Sequence, residues 1–410
     1  MDLMRVLQDE GYAKEVVAEG EREQKEKKRK QKRGFRLIMA GSLAVGAILG
    51  FFLGGMKVGS DSSSPEWSSM VFQGCSLFVF LLGLFIQVVI HEGGHLVFGL
   101  MTGYEFLSFR IGSLMVVKKD GKIFWKRYSI QGTGGQCVMR PPVRAEDGEF
   151  PYMLYNMGGV IFNFVSATVL GVIGGMAHES IGGQICLIFA AAGVLTGIMN
   201  GIPMRMGINN DGMNAKMMKK DKVAKDAFYA QLDVNAKCSD GGRIKDMGED
   251  FYKLSEDVDL SELLVGYQKL LAYDFYAECY DFNKANACIE ELEAAKDGMA
   301  DYLKNAVRVE RLFLLILADA PKELITFYYE SLKDSAFKAK HDLAAKRVLF
   351  AYELLVNKNE NAAERVKKEF DKLVLKFPVE GEAMLHQDLV QFVMEHQDIE
   401  SRKELFESVA

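Results

Sequence analysis

The sequence lacks paired cysteines and lacks an excess of basic charge. Its six cysteines are scattered, without a Cys-x-x-Cys pair, and Cys75 and Cys186 lie in apolar stretches. This usage indicates reduced thiols and excludes a secreted disulfide scaffold. The formal net charge is −6 over 410 residues, and the basic residues cluster beside apolar runs. We therefore expect no nucleic acid among the partners.

Apart from Glu92, charge is also missing from four long stretches in the first half of the chain. A helix needs roughly 20 apolar residues to cross a bilayer, and each stretch is long enough. The four stretches are Leu37–Met56, Trp67–Tyr104, Phe150–His178 and Ser180–Met204. They predict an α-helical polytopic membrane protein with about four transmembrane helices, a fold class that a soluble helix pair does not explain.

Lysine and arginine are unevenly distributed between the segments that flank these stretches. Nine lie between Arg22 and Arg36, one lies between the first and second stretches, eight lie between the second and third, and the turn at His178-Glu179 has none. Cytoplasmic loops are enriched in Lys and Arg. We therefore predict a multi-pass protein of the cell membrane with both termini in the cytoplasm, beginning with a basic cytoplasmic segment over residues 1–36.

The segment between the second and third stretches is predicted to form β structure. Apolar residues on both sides of Lys118-Lys-Asp-Gly-Lys122 favour two strands, and an Asp-Gly pair at the centre is a strong hairpin signal. We expect a small membrane-associated β-hairpin segment within Leu107–Met139, as part of a membrane domain over residues 37–222.

The polar second half of the chain is predicted to be all-helical. Apolar residues recur three and four positions apart, as in the stripe Leu263, Tyr267, Leu270 and Leu271, which is typical of amphipathic helices. Paired helices favour a tetratricopeptide-like array, and a plain helical bundle is the alternative. We expect residues 223–410 to form a cytosolic domain that folds on its own. It would bind a protein partner or, alternatively, only stabilise the membrane part.

The second apolar stretch contains an H-E-x-x-H motif, His91-Glu92-Gly93-Gly94-His95. Residues four apart share one face of a helix, so both imidazoles can bind one metal ion. Glu92 can act as general base on a water molecule without being a ligand. Ionisable residues in a membrane span are costly and mark functional sites. The alternative is a buried His/Glu network without metal.

A catalytic zinc ion takes three protein ligands, so the two histidines leave the site one ligand short. Asp211 follows the fourth apolar stretch on the predicted cytoplasmic side. Its predicted depth in the membrane matches that of the cytoplasmic half of the second stretch, where the two histidines lie. Asp211 is therefore the predicted third ligand of one Zn²⁺ ion. As part of Asn210-Asp211-Gly212, it could instead belong to a simple turn.

Together these motifs resemble the site-2 protease family of zinc intramembrane metalloproteases. The matching pieces are His91–His95, Asn200-x-x-Pro203 followed by Asp211-Gly212, Gly159-Val-Ile-Phe-Asn163 beside the family's G-P-x-x-N element, and the glycine-rich Gly134–Met139. The resemblance covers residues 37–222. Val160 stands where the family usually has Pro, and the stretch from Pro203 to Asp211 is longer than usual, which leaves Asn209 and Asn210 as alternative ligands.

The resemblance implies a zinc ion held by the two histidines and Asp211, with Glu92 as the catalytic residue that activates water. It also implies a substrate-binding or oxyanion-stabilising role for Asn163, Gly134 and Gly135. For Asn163 an interhelical hydrogen bond is the alternative. The implied activity is hydrolysis of peptide bonds in transmembrane or membrane-inserted substrates near the cytoplasmic face.

Two other functions remain open at the level of the sequence. One is a non-catalytic membrane scaffold or receptor that keeps the fold and recruits partners through the helical domain. The intact Glu92 argues against it, because a scaffold needs no base beside two histidines. The other is a zinc peptidase that acts on soluble peptides, and the position of the motif inside an apolar stretch argues against that.

Overall fold

The computed structural model describes residues 1–26, 66–129, 133–205, 208–255, 257–339 and 341–407. Within these ranges the chain forms a group of long apolar helices, a four-stranded sheet and a helical domain. The predicted first span, Leu37–Met56, and residues 27–36 of the basic segment before it lie outside the described residues.

Among the described residues, three helices are long and apolar enough to cross a membrane. They are α3 (Glu66–Met101), α4 (Tyr152–Met176) and α5 (Ile181–Gly201), and their candidate spans are Cys75–Met101, Tyr152–Met176 and Ile181–Gly201. Three of the four predicted spans thus correspond to helices with the length and composition of membrane spans. Large apolar side chains on α3 such as Phe78 and Phe85 are exposed, as expected for a surface that faces lipid.

The predicted β segment forms one antiparallel sheet with the strand order β3-β2-β1-β4. The strands are β1 (Glu105–Ile111), β2 (Leu114–Lys119), β3 (Lys122–Arg127) and β4 (Gly135–Arg140). The predicted hairpin joins β2 to β3, and both turn residues, Asp120 and Gly121, have positive φ. That conformation matches the right-handed twist of the flanking strands.

The sheet lies between the membrane helices and the helical domain. On one face, Met139 packs against Gly99 of α3, and the carbonyl of Cys137 accepts a hydrogen bond from Tyr155 of α4. On the other face, Met115 and Val117 are buried in the core of the helical domain. Alternation of side chains along each strand allows one thin sheet to bury both faces.

The second half of the chain is helical, as predicted. Its α-helices are α6 (Asp211–Lys220), α7 (Lys222–Ser239), α8 (Leu263–Glu278), α9 (Phe282–Ala294), α10 (Asp301–Leu317), α11 (Lys322–Leu332), α12 (Leu343–Ala351), α13 (Glu360–Val374), α14 (Glu380–Glu395) and α15 (Ile399–Glu407). Asp281, Asp342 and Asn359 cap α9, α12 and α13 by accepting a hydrogen bond from a backbone N–H of the first turn. Whether the helices form a repeat array or a plain bundle stays a prediction.

The described part of the N-terminal segment packs against the helical domain. Helices α1 (Leu3–Gln8) and α2 (residues 10–26) bring Leu3, Val6 and Ala13 into the same core cluster as α8 to α14. The backbone N–H of Leu3 donates to Glu290 over 2.8 Å. Residues 1–26 and the second half of the chain therefore share one hydrophobic core.

Candidate metal centre

The two histidines of the H-E-x-x-H motif lie on one face of α3, as their spacing predicts. Their Nε2 atoms are 3.2 Å apart, and both side chains are buried between α3 and α4. Such an arrangement brings two imidazole nitrogens to a single point inside the apolar helix group.

Asp211 reaches the same point from the first turn of α6. Its Oδ2 atom is 2.9 Å from Nε2 of His91 and 3.5 Å from Nε2 of His95. These three side chains are the group among the described residues whose ligand atoms could hold a metal ion, and those atoms all lie within 4.8 Å of one another. The structure thus brings together the three predicted ligands from two separate helices.

The two asparagines that precede Asp211 lie elsewhere. Asn210 caps α6 by accepting a hydrogen bond from Met213 N–H, and its Nδ2 donates to the carbonyls of Met199 and Ile202. Asn209 is buried, with its Nδ2 3.4 Å from Glu262 of the helical domain. Asn210 therefore ties the end of α5 to the start of α6, and neither asparagine is among the converging atoms.

The hydrogen bonds of the imidazoles fix which nitrogen carries the proton. Nδ1 of His91 is 2.7 Å from Oδ1 of Asn163, and Nδ1 of His95 is 2.8 Å from the carbonyl of Tyr155. Asn163 uses its Nδ2 to donate to the carbonyl and Oε1 of Gln87, so its Oδ1 must face His91. Both oxygens accept hydrogen bonds, which places a proton on Nδ1 of each histidine and leaves Nε2 as the nitrogen that can bind a metal ion.

Two imidazole nitrogens and one carboxylate oxygen therefore converge on one point. Oδ2 of Asp211 is buried and receives no hydrogen bond. Two neutral imidazoles and one carboxylate are a ligand set that suits Zn²⁺ and leaves a fourth position open.

The same chain matches a known family along most of its length. The model of peptidase family M50 aligns with residues 79–387, which are 309 of the 410 residues. The chain belongs to peptidase family M50. This is the site-2 protease family, whose members are membrane metalloproteases, so the resemblance inferred from the motifs is confirmed. The comparison with curated proteins and the comparison with solved structures each gave no match.

The M50 match extends beyond the part of the chain that carries the motifs. It continues through the helical domain as far as residue 387, within α14. The motifs alone had limited the resemblance to residues 37–222. The membrane helices, the sheet and most of the helical domain therefore lie within the family match.

In this member of peptidase family M50, Glu92 follows the first histidine and faces the sheet. It is buried, and the start of β4 passes directly against it. A Cβ atom placed on Gly135 would lie 2.6 Å from Oε1 of Glu92, whereas one on Gly134 would lie 3.6 Å from Val88. Only a residue without a side chain lets β4 approach the carboxylate so closely, which explains a glycine at position 135.

Glycines also set the distance between α3 and α4 at this level. A Cβ atom on Gly94 would lie 2.3 Å from the carbonyl oxygen of Gly158, and one on Gly159 would lie 2.6 Å from the ring of His91. Such a crossing of small residues is typical of helix packing in membranes. It places Asn163, one turn beyond Gly159 on α4, against the imidazole of His91.

Two supporting residues were not predicted from the sequence. Gln87 receives both hydrogen bonds from Asn163 and lies one helical turn before His91, and Tyr155 orients His95 through its carbonyl. A polar residue inside an apolar span was the available signal for Gln87. A backbone carbonyl carries no signal in the sequence. For Asn163 the structure shows the interhelical hydrogen bond, with a side chain that has no exposed surface.

Proposed function

We propose that this protein is an active zinc-dependent intramembrane protease. The observation that carries the proposal is the convergence of three metal-ligand atoms beside a buried glutamate, inside apolar helices of an M50 family member. His91, His95 and Asp211 would hold the zinc ion. Glu92 would be the catalytic base.

The chain's own residues divide the chemical work in this proposal. Zinc, when bound, would polarise the attacking water and the scissile carbonyl. Glu92 accepts a proton from the water and later delivers it to the leaving nitrogen. Asn163 and the carbonyl of Tyr155 hold the two imidazoles in the tautomer and orientation that binding requires.

The substrate in this proposal is a transmembrane or membrane-inserted segment, cut near the cytoplasmic face. A helical substrate hides its peptide groups in hydrogen bonds, so it must unwind before hydrolysis. β4 is an edge strand of the described sheet and begins beside Glu92. An unwound segment added along that edge would form main-chain hydrogen bonds and would pass the general base. The helical domain beneath the sheet would bind a protein partner.

The replacement of Glu92 by Gln tests catalysis. The amide keeps the shape of the side chain but cannot accept the proton of water, so we expect hydrolysis of a model transmembrane substrate to fall by roughly 100-fold or more. Zinc content, measured by elemental analysis of the purified full chain, should stay at the wild-type value. Near-normal hydrolysis by Glu92→Gln would show that Glu92 is not the base. A wild-type protein that binds zinc and cuts no membrane substrate would instead favour the scaffold.

The pair Asp211→Ala and Asn210→Ala tests the third ligand. Removal of Asp211 should lower zinc occupancy and hydrolysis together, because one of three ligands is lost. Loss of Asn210 should lower thermal stability, since it removes a helix cap worth about 1 kcal/mol, and should leave zinc occupancy much less affected. If Asn210→Ala loses as much zinc as Asp211→Ala, or more, Asp211 is not the third ligand.

A further inference from the structure

Arg110 is a fully buried cation on β1, the strand beside β4. It is 1% exposed. Its Nη1 donates to the carbonyl of Gly112 over 2.8 Å, and its Nη2 donates to Oγ1 of Thr133 and, over 3.3 Å, to the carbonyl of Gly135. Its Nε is buried and has no hydrogen-bond partner. The guanidinium therefore ties the β1–β2 turn to the first residues of β4.

These contacts bear directly on the general base. The segment that Arg110 holds is the one that passes against Glu92, where Gly135 leaves no room for a Cβ atom. A backbone hydrogen bond from Gly112 to Gly134, 2.8 Å long, closes the same connection. The two glycines are thus fixed against α3 from behind, by one side chain and one backbone bond.

The charge of Arg110 also needs a counterpart. An arginine side chain stays protonated in proteins, and a buried charge without a partner is costly. No ion pair to Arg110 is found among the described residues. Glu92 lies against Gly135, whose carbonyl accepts one of the hydrogen bonds of Arg110. Across the glycine backbone, a buried cation and a buried carboxylate therefore face each other in surroundings of low dielectric, where charges interact strongly.

We propose that Arg110 is a positioning residue for the reaction: it holds the Gly134-Gly135 backbone against Glu92 and supplies the positive charge that balances the carboxylate. The proposal rests on the proposed protease function. Arginine suits the task better than lysine, because its planar fork reaches three oxygen acceptors at once. Lysine would keep the charge but could not form most of the hydrogen bonds that the guanidinium group makes.

The test compares Arg110→Gln, Arg110→Lys and Arg110→Ala with Arg127→Gln in the purified full chain. Arg127 is an exposed arginine on β3 of the same sheet, so it controls for loss of an arginine as such. We expect Arg110→Gln to lower kcat by about 10- to 100-fold, the usual effect of losing a supporting residue, with KM and zinc content close to wild type. The kcat of Arg110→Lys should lie between the values of Arg110→Gln and wild type. The kcat of Arg127→Gln should match that of wild type.

Two further readouts separate positioning from a merely structural effect. Added guanidinium ions should restore part of the activity of Arg110→Ala and none of that of Glu92→Gln. Amide hydrogen exchange across residues 133–140 should be faster in Arg110→Gln than in Arg127→Gln. Normal kcat in Arg110→Gln would overturn the proposal, and so would a loss that guanidinium does not relieve while exchange stays unchanged. If the wild-type chain shows no zinc-dependent hydrolysis, the protease function fails, and the exchange measurement still decides whether Arg110 holds the loop.

Discussion

At the scale of single residues, Asn163 shows how the site depends on groups that never touch a metal. Asn163 is fully buried and bridges Gln87 and His91. The two hydrogen bonds that it donates fix the orientation of its amide group. Ser166 adds a hydrogen bond to the same Gln87 amide oxygen over 3.1 Å. The position of one candidate ligand nitrogen is thereby set by a chain of three polar side chains inside apolar helices.

Replacement of Asn163 by Ala should weaken zinc binding. The imidazole of His91 would lose the acceptor that fixes its tautomer, and loss of such a partner typically lowers metal affinity by 10- to 100-fold. Competition with a zinc chelator measures the change. Ser166→Ala is the matched control, since it leaves the bond between Asn163 and His91 intact. Equal chelator resistance of Asn163→Ala and wild type would contradict the role of this bond.

At the scale of elements, the crossing of α3 and α4 determines whether the site can form. The carbonyl oxygens and Cα atoms of the two helices meet at Gly94 and Gly158 without intervening side chains. This close approach brings Asn163 and the Tyr155 carbonyl of α4 within hydrogen-bond distance of the two histidines of α3. A pair of larger residues would hold the helices apart and break both bonds.

Gly94→Ala should therefore destabilise the protein, whereas Gly93→Ala should not. The added methyl group at Gly94 would lie 2.3 Å from the Gly158 carbonyl oxygen, but at Gly93 it would meet nothing within 4 Å. Overpacking of this kind costs about 1–3 kcal/mol, while Gly→Ala in an open helix position favours the helix by up to about 1 kcal/mol. Thermal unfolding of both variants in detergent would show the difference. Equal melting temperatures would mean that the two helices separate easily.

At the scale of the whole molecule, the helical domain is joined to other described parts of the chain through the sheet, the N-terminal helices and the end of α5. The sheet contributes Met115, Val117 and Tyr128 to its core, and the N-terminal helices contribute Leu3 and Val6. α6 and α7 link it to the end of α5. The Oε2 atom of Glu380 on α14 also pairs with Lys119 of β2 over 2.5 Å. The domain therefore lies directly against the elements that surround the site.

Leu3→Asp should release the N-terminal helices from the helical domain. Leu3 is fully buried, and loss of a buried leucine costs about 2–5 kcal/mol even without the added charge. Limited proteolysis of the full chain should then cut within residues 1–26 faster than in wild type. Met4→Asp is the control, because Met4 is 38% exposed. Similar cleavage rates in the two variants would show that the docking of α1 is weak.

The sequence by itself determined the parts of this protein that depend on local pattern. Uncharged runs predicted the spans at α3, α4 and α5, the Asp120-Gly121 turn predicted the β2–β3 hairpin, and three- and four-residue periodicity predicted the helical half. The i, i+4 spacing of His91 and His95 placed both imidazoles on one face. These features follow from bilayer thickness, turn geometry and helical period, which act over a few residues at a time.

Only the tertiary structure decided which distant groups meet. Asp211 rather than its asparagine neighbours reaches the histidines. The side chain of Asn210 instead caps α6 and forms hydrogen bonds to the end of α5. Asn163 faces an imidazole, and Arg110 stands behind Glu92, because two glycine contacts and one sheet edge bring α4 and β4 against α3. Such pairings depend on how helices cross and how strands register, and no local pattern in the sequence carries that information.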